Sequence, residues 1–227
     1  MAVFAIGDLH LSLGGDKAMD AFPGWKNYVT LLETNWREQI APEDTVLLCG
    51  DTSWGMTLEE SRADFAFLQA LPGRKILLKG NHDYWWTSAS RMSRFFEENG
   101  FSSLEILHNN FISAEGLALC GTRGWMMESG KPHDDKLINR EVLRLEASLT
   151  AAKGFSGEKV VFLHYPPIYN NQFIGSLLEV LARHCIARCY YGHIHGGGHR
   201  FAHEGLFDGV EYTMISADYL HFCPKKL

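Results

Sequence analysis

No stretch of this chain stays apolar for anything near the roughly 20 residues that a bilayer-spanning helix requires, so no membrane span is expected. Positive charge is also scarce. The net charge of -6 argues against a protein that grips nucleic acid by bulk electrostatics, although it leaves room for a local basic groove. Cysteine is sparse and odd in number: Cys49, Cys120, Cys185, Cys189 and Cys223. That count does not make a disulfide framework and reads as free thiols in a reducing compartment. Cys185 and Cys189 are spaced to admit a zinc site, but a free cysteine is more often a small buried apolar residue. The N-terminus has no basic leader pattern and its first apolar run feeds straight into Asp8, so the cytoplasm is the expected location. There is no internal repeat, low-complexity tract or linker, and residues 1–227 are expected to form one domain. With 46% hydrophobic residues, a chain of this length can bury a full core.

What the chain has instead is a repeated pattern: a short apolar run that ends in an acid, an amide or an imidazole. Val3-Phe4-Ala5-Ile6 runs into Gly7-Asp8-Leu9-His10, and Val46-Leu47-Leu48-Cys49 into Gly50-Asp51. Ile76-Leu77-Leu78-Lys79 runs into Gly80-Asn81-His82-Asp83, and Cys189-Tyr190-Tyr191 into Gly192-His193-Ile194-His195. Val160-Val161-Phe162-Leu163 ends at His164 without the glycine. Loops at strand ends are where α/β proteins place their chemistry, because a rigid sheet positions a solvent-reachable turn.

Between these runs, Trp25, Tyr28, Val29, Leu32, Trp36 and Ile40 recur at helical spacing, and Pro42 follows. Thr57-Leu58-Glu59-Glu60 has the capping-box pattern before a helix carrying Leu58, Phe65, Leu68 and Leu71. A third helix is predicted from about Trp85 to Glu98. The β-α-β-α-β-α order implies parallel strands with helices packed on both faces. The segments 104–107, 110–114 and 117–120, separated by Asn109-Asn110 and Glu115-Gly116, read as hairpins. Residues 121–132 read as a loop holding Arg123, Trp125, Met126 and Met127. A long helix with Ile138, Val142, Leu145 and Leu149 on one face follows, then strand 160–163, helix 174–184 and strand 187–191. The chain closes on a predicted hairpin of 199–207 and 210–216, and the tail Lys225-Lys226 reads as a solvated end.

Aspartate, asparagine and histidine are the donors of borderline divalent metals. Asp8 and His10 alternate across one residue, as do His193 and His195, so each pair can face one side of an extended loop. Asp8, His10, Asp51, Asn81, His164, His193 and His195 are too many for one tetrahedral site and suit two ions if one carboxylate bridges. Two ions about 3.5–4 Å apart clamp the attacking and leaving oxygens of a phosphoryl displacement and bring a bound water's pKa near 7. His82 is left over and is the candidate to protonate a leaving alkoxide or hold its charge, with Asp8 or Asp83 to orient it.

Gly-Asp-Leu-His at 7–10, Gly-Asp at 50–51, Gly-Asn-His-Asp at 80–83, His164 and Gly-His-Ile-His at 192–195 resemble, in order, the signature of the calcineurin-like metallophosphoesterases. The resemblance runs from residue 3 to about 216. It implies a four-layer α/β/β/α sandwich with two central mixed sheets. It implies one metal on Asp8, His10 and His195, a second on Asn81, His164 and His193, Asp51 bridging, and His82 as the catalytic histidine. It further implies a phosphomonoester or phosphodiester hydrolase using manganese, iron or zinc, with metal-bound hydroxide in line with the leaving group. The alternatives are a nuclease or cyclic-nucleotide phosphodiesterase, and a non-catalytic scaffold on the same fold. A nuclease usually carries a basic track or an added domain, and the scaffold reading requires lost ligands; neither fits this chain.

Asp51-Thr52-Ser53-Trp54-Gly55 and Gly121-Thr122-Arg123-Gly124-Trp125 lie outside the general signature and bear on the substrate, a small molecule or phosphorylated partner. Arg123 has the planar fork that suits a phosphate, against an ordinary ion pair. Trp54, Trp85, Trp86 and Trp125 are candidates to stack on a ring, against packing the rim of the sheets, the reading preferred for Trp85. His199 follows the glycines at 196–198 closely enough to sit near the metals; His108, His133, His184, His203 and His221 show no pattern.

Overall fold

Every residue of β1 (Val3–Ile6) is buried, and its side chains alternate between two different cores. That alternation sets the architecture, since a strand points successive side chains to opposite faces. The structure, a computed structural model, describes residues 1–17, 19–126 and 134–227. In chain order β1 is followed by α1 (Tyr28–Gln39), β2 (Thr45–Cys49), α2 (Arg62–Ala70), β3 (Arg74–Leu78), α3 (Ala89–Glu98) and β4 (Leu104–Ile106). Then come β5 (Phe111–Ala114), β6 (Leu117–Thr122), α4 (Asp134–Ala151), β7 (Glu158–Leu163), β8 (Ile168–Tyr169) and β9 (Gln172–Phe173). The chain ends with α5 (Gly175–Arg183), β10 (Arg188–Tyr191), β11 (Gly205–Phe207), β12 (Val210–Met214) and β13 (Lys225–Lys226).

Two large mixed sheets result. The first has the order β13-β1-β2-β3-β4, parallel except for β13; the second has the order β11-β12-β10-β7-β6-β5, with antiparallel β11 and β5 at its edges. In each sheet the parallel strands are added in one direction. Right-handed crossovers therefore lay all the helices on one face rather than on both, which corrects the expectation of helices on both faces. Phe4, Ile6, Val46, Leu48 and Leu77 pack under α1, α2 and α3. Cys120, Val161, Leu163, Cys189 and Tyr191 pack under α4 and α5. The remaining faces meet each other: Val3, Ala5, Leu47, Ile76 and Leu78 against Leu119, Val160, Phe162 and Tyr190. The layers are helix, sheet, sheet, helix. No helix among the described residues is long and apolar enough to cross a membrane.

Several local expectations change. Asn109-Asn110 does not close a hairpin: β4 joins β3 in the first sheet and β5 joins β6 in the second, so this turn carries the chain between sheets. Glu115-Gly116 is the true hairpin turn. Half of the capping box forms, with Thr57 Oγ1 accepting from Glu60 N at 3.2 Å, while the Glu60 carboxylate accepts Met56 N at 2.9 Å; the turn lies ahead of α2, which starts at Arg62. The first helix starts at Tyr28, after Trp25, and the third at Ala89, where Ser88 accepts from Arg91 N. In the closing hairpin the first arm is only β11, because residues 196–201 form a 3-10 turn. Lys225-Lys226 is not a free tail: its backbone pairs with Phe4 and Ala5, though both side chains stay exposed. Cys189 is buried and Cys185 exposed, and neither joins a group of ligating side chains among the described residues, so the zinc reading falls. Met127, Pro132 and His133 lie outside the described residues.

The outer core of the first sheet centres on Phe65, fully buried, with Trp85, Phe96, Phe101 and Phe95 edge-on at 4.9 to 6.3 Å. Phe65→Ala should cost about 3–5 kcal/mol, read as a lower urea midpoint at an unchanged slope.

Candidate metal centre

All the strand-end donors lie at one rim, where the carboxyl ends of both sheets converge. The sheets are joined there by main-chain bonds: Gly7 N donates to Ile215 O at 2.7 Å, and Ala217 N to Gly7 O at 3.0 Å. Past their strands, the loops after β1 and β2 keep pairing, with Asp8 N on Gly50 O (2.8 Å), His10 N on Asp51 O (2.9 Å) and Leu11 N on Thr52 O (3.0 Å). The cost is backbone strain. Asp8, His10, Asp51 and His193 all take positive φ, at 59°, 45°, 49° and 73°. Tyr28 helps hold this conformation by donating its hydroxyl to His10 O at 2.8 Å.

Two glycines make the approach of the loops feasible. A Cβ on Gly50, itself at φ 87°, would sit 2.6 Å from His164 Nδ1 and 2.8 Å from Gly80 Cα; a Cβ on Gly80 would collide with the Asp51 carboxylate.

The side chains form two groups of ligand atoms. Asp8, His10 and His195 make one, and Asp51, His164 and His193 the other; within each, the donor atoms lie within 4.8 Å of one another. Asn81 adjoins the second group, its Oδ1 2.6 Å from His164 Nε2. Asp51 Oδ2 stands between them, 3.7 Å from His10 Nε2 and 3.6 Å from His164 Nε2. Asp8 also lies near both, with Oδ1 3.7 Å from His195 Nε2 and from His164 Nδ1, while its carboxylate accepts His193 N at 2.8 and 3.0 Å.

The donor set fits cations because acceptors face acceptors. His164 Nδ1 lies 3.1 Å from Cys49 O, so its one proton belongs there and the Nε2 lone pair faces Asn81 Oδ1. His195 Nδ1 lies 2.9 Å from Asp218 Oδ1, which turns its Nε2 toward His10 Nε2 at 3.2 Å. The Nδ1 atoms of His10 and His193 are buried without partners. Electrostatics agree. Burial pushes Asp8 up to about 8 and Asp51 up to about 6. Burial also pulls His164 down to about 3 and His10 and His193 well below the usual histidine range. His195 is raised: burial opposes its charge, but the bonds to Asp218 and the nearby Asp8 outweigh it. A proton on His195 is a partial remedy for so many facing lone pairs; divalent cations are the full one.

Asp83 does not orient His82, and neither does Asp8. Asp83 is buried and accepts Gly80 N (2.7 Å), Asp51 N (2.9 Å), Thr52 N (2.8 Å) and the Trp85 indole (3.0 Å), tying the loops after β2 and β3 together. His82 is set by its own amide on Asp51 Oδ1 (2.7 Å) and by Tyr84 Oη, 3.3 Å from its Nδ1. Trp54 walls the site, stacked on His10 at 4.8 Å and tilted against His82 at 4.5 Å, with Lys17 Nζ 4.3 Å above it. Trp125 sits apart, 5.3 Å from the Tyr165 ring, with Arg123 over its other contact surface at 5.1 Å. Trp85 packs in the core as expected, and Trp86 tilts against it.

Three participants carry no signature. Asp218 holds His195 and the Gly196 amide, and His199 reaches the site only through it, at 3.2 Å. Its signal was present: Tyr212-Thr213-Met214-Ile215 is one more apolar run ending near an acid. Trp25, read as a helix residue, packs edge-on against His10 and His195 at 5.8 and 5.5 Å. Lys17 lay in a segment read only as loop.

The sequence matches the family model described as calcineurin-like phosphoesterase over residues 1–197. No curated protein matches it. Among solved structures, the chain is similar to the phosphopantetheinyl hydrolase PptH of Mycobacterium tuberculosis, with 14% identity, a TM-score of 0.59, and coverage of 100% of this chain and 95% of that one. It is similar to a protein of unknown function, AQ665 of Aquifex aeolicus, at 16% identity and TM-score 0.55, covering 99% and 95%. It is also similar to GAP50, the anchor in the inner membrane complex of Plasmodium, at 12% identity and TM-score 0.51, covering 96% and 72%. At such identities the likeness concerns the fold.

Asp51→Asn should lower bound manganese in both groups, whereas Asp218→Asn should weaken it about 10- to 100-fold by loosening His195 alone, both read by metal analysis after dialysis. The raised carboxyls bind more protons folded than unfolded, so they erode metal-free stability as pH rises from about 4 to 8. Metal relieves that burden, and the gain in Tm on adding manganese should grow between pH 5.5 and pH 8.

Proposed function

Because the chain belongs to the calcineurin-like phosphoesterase family, we propose that it is a dimetal hydrolase of phosphoric esters. The observation that carries this reading is Asp51 Oδ2, poised 3.7 and 3.6 Å from imidazole nitrogens of the two ligand groups, as a bridging carboxylate would be. Asp8, His10 and His195 would hold one divalent ion, and Asn81, His164 and His193 the other. Manganese, iron and zinc all suit these donors. When bound, such a pair supplies Lewis acidity toward phosphoryl oxygens and toward water.

The chain's own residues supply the rest. Asn81, a neutral donor among carboxylates, keeps the site from becoming too negative for a phosphate. Tyr84 fixes one nitrogen of His82 and leaves Nε2 to meet the leaving oxygen. Burial holds His82 below the ordinary histidine range despite the opposing pull of Asp51, so near pH 7 the ring is neutral. It acts as a hydrogen-bond donor from Nε2 to the leaving oxygen and stabilises the charge that develops there. Trp54, against both His10 and His82, excludes water from one side. Lys17 on its outer face adds positive charge beside the entry.

GAP50 is described as an anchor, so the fold alone does not separate hydrolase from scaffold. The complete ligand set and His82 favour the hydrolase. The substrate is read as a small molecule or a phosphorylated partner rather than nucleic acid, in keeping with the net charge of -6.

The test is a manganese-loaded assay on nitrophenyl phosphate and bis-nitrophenyl phosphate, with an alkyl phosphate as the poor-leaving-group substrate. His82→Ala should cut turnover of the alkyl ester about 10²- to 10⁴-fold with manganese content retained. Unchanged turnover would remove the role at the leaving oxygen, and no hydrolysis of any ester by the metal-loaded protein would remove the phosphoesterase reading.

A further inference from the structure

A cavity of about 220 Å³ lies beside the metal centre, lined by Lys79, Trp86, His108, Thr122, Arg123 and Arg144 among others. At about 30 Å³ per water it has room for one oxyanion and its first waters. Its position follows from the topology. Lys79 follows β3, the neighbour of β2, whose loop carries Asp51; Thr122 ends β6 and Arg123 follows it, beside β7, which His164 follows. The Arg123 carbonyl accepts Tyr165 N at 2.9 Å. On the second sheet the cavity is therefore one strand over from His164, and on the first it opens at the strand whose loop carries Asn81, about 5–10 Å from the metal centre at ordinary strand spacing.

Its charge is out of balance. The three cations Lys79, Arg123 and Arg144 face two buried carboxylates, Glu141 and, on the Lys79 side, Asp83, which is already taken up by backbone amides. Glu141 is already engaged, accepting Thr122 Oγ1 at 2.6 Å and Arg144 at 2.8 Å, and it keeps Arg123 and Arg140 only at 3.7 Å. Lys79 is half-buried and makes no hydrogen bond or ion pair among the described residues. Arg123 Nε and Trp86 Nε1 are buried without partners. The unmatched groups are all donors. A buried donor without an acceptor is costly, and a set containing two cations calls for an acceptor that is itself anionic.

We propose that this cavity binds a second anionic group of the substrate, so that the enzyme acts on phosphoesters bearing a further phosphate or carboxylate one short, rigid unit from the scissile phosphate. The proposal rests on the phosphoesterase reading for the reacting phosphate, while the cavity's own affinity for an oxyanion does not.

The test compares 4-carbamoylphenyl phosphate with 4-carboxyphenyl phosphate and 1,4-phenylene bisphosphate on manganese-loaded enzyme. The amide has the better leaving group, so a preference for the charged substrates reports binding. We expect kcat/KM to favour at least one charged substrate by about 10- to 100-fold, the effect of a charge-assisted hydrogen bond. The larger preference identifies the group as carboxylate or phosphate. Lys79→Gln should bring the ratio near one, and Lys79→Arg should keep it. The ratio is internal to each variant, so a loss of fold or metal lowers all substrates together. A ratio near one for both charged substrates in the wild type, or one that survives Lys79→Gln, overturns the proposal and leaves the cations as partners of Glu141. Calorimetric titration of sulfate into the metal-free protein gives a second readout, with binding expected to weaken about tenfold in Lys79→Gln. Should no ester be hydrolysed, the phosphoesterase reading fails and sulfate alone decides the cavity: binding lost in Lys79→Gln supports it, and binding absent or unchanged overturns it.

Discussion

The carboxylate of Asp83 holds the candidate metal centre in place without facing it. Buried at the root of the loops after β2 and β3, it collects the amides of Gly80, Asp51 and Thr52 and the indole of Trp85. Those amides belong to the chain segments that present Asp51 and Asn81. Once they are fixed, Asp51 can accept His82 N and still direct its other oxygen between His10 and His164. The pull of Asp83 also allows Asp51 to keep a positive φ, a conformation few residues tolerate without outside support.

Two sheets give the site its rigidity and its crowding. Each sheet grows in one direction through right-handed crossovers, so each shows one face to helices and the other to its partner, and both aim their carboxyl ends at one rim. The main-chain bonds of Gly7 to Ile215 and Ala217 join the sheets at that rim. Burial then acts on charge. The carboxyls of Asp8 and Asp51 rise, every ligand-group imidazole but His195 falls, and lone pairs face one another across about three ångströms, the spacing at which hydrogen bonds or coordination must intervene. The same seam, beside the candidate ligands, leaves cations and N–H donors unmatched in the cavity of Lys79 and Arg123. The rim thus holds two complementary imbalances, an excess of acceptors beside an excess of donors, and a phosphoester with a second anionic group would answer both through the ions and through the cavity.

Much of the site was legible in the sequence because its signals are local. A candidate ligand that follows its own strand within one to three residues, as Asp8, Asp51, Asn81, His164 and His193 do, is written beside the apolar run that positions it. The glycines at 50 and 80 are written there too, since the loops approach too closely for a Cβ. Helix starts were less legible, because the caps depend on where the preceding loop docks: Trp25 and Trp85 keep helical spacing but serve the site and the core from outside their helices.

The sequence by itself determined the strands, the helix faces, the donor set at strand ends and the family to which these belong. Only the tertiary structure decided how they combine. It sent β4 and β5 to different sheets, although Asn109-Asn110 is a good turn for a hairpin, because strand pairing depends on which edge is free. It recruited Lys225-Lys226 to the edge of β1, turned Asp83 inward rather than toward His82, and brought Asp218 back to His195 from beyond β12. It also assembled the cavity from Lys79, Arg123 and Arg144, which share no motif. The physical reason is common to all of these: hydrogen bonds and charge pairs between residues distant in sequence are formed only when the sheets pack, and nothing in the local pattern records the partner.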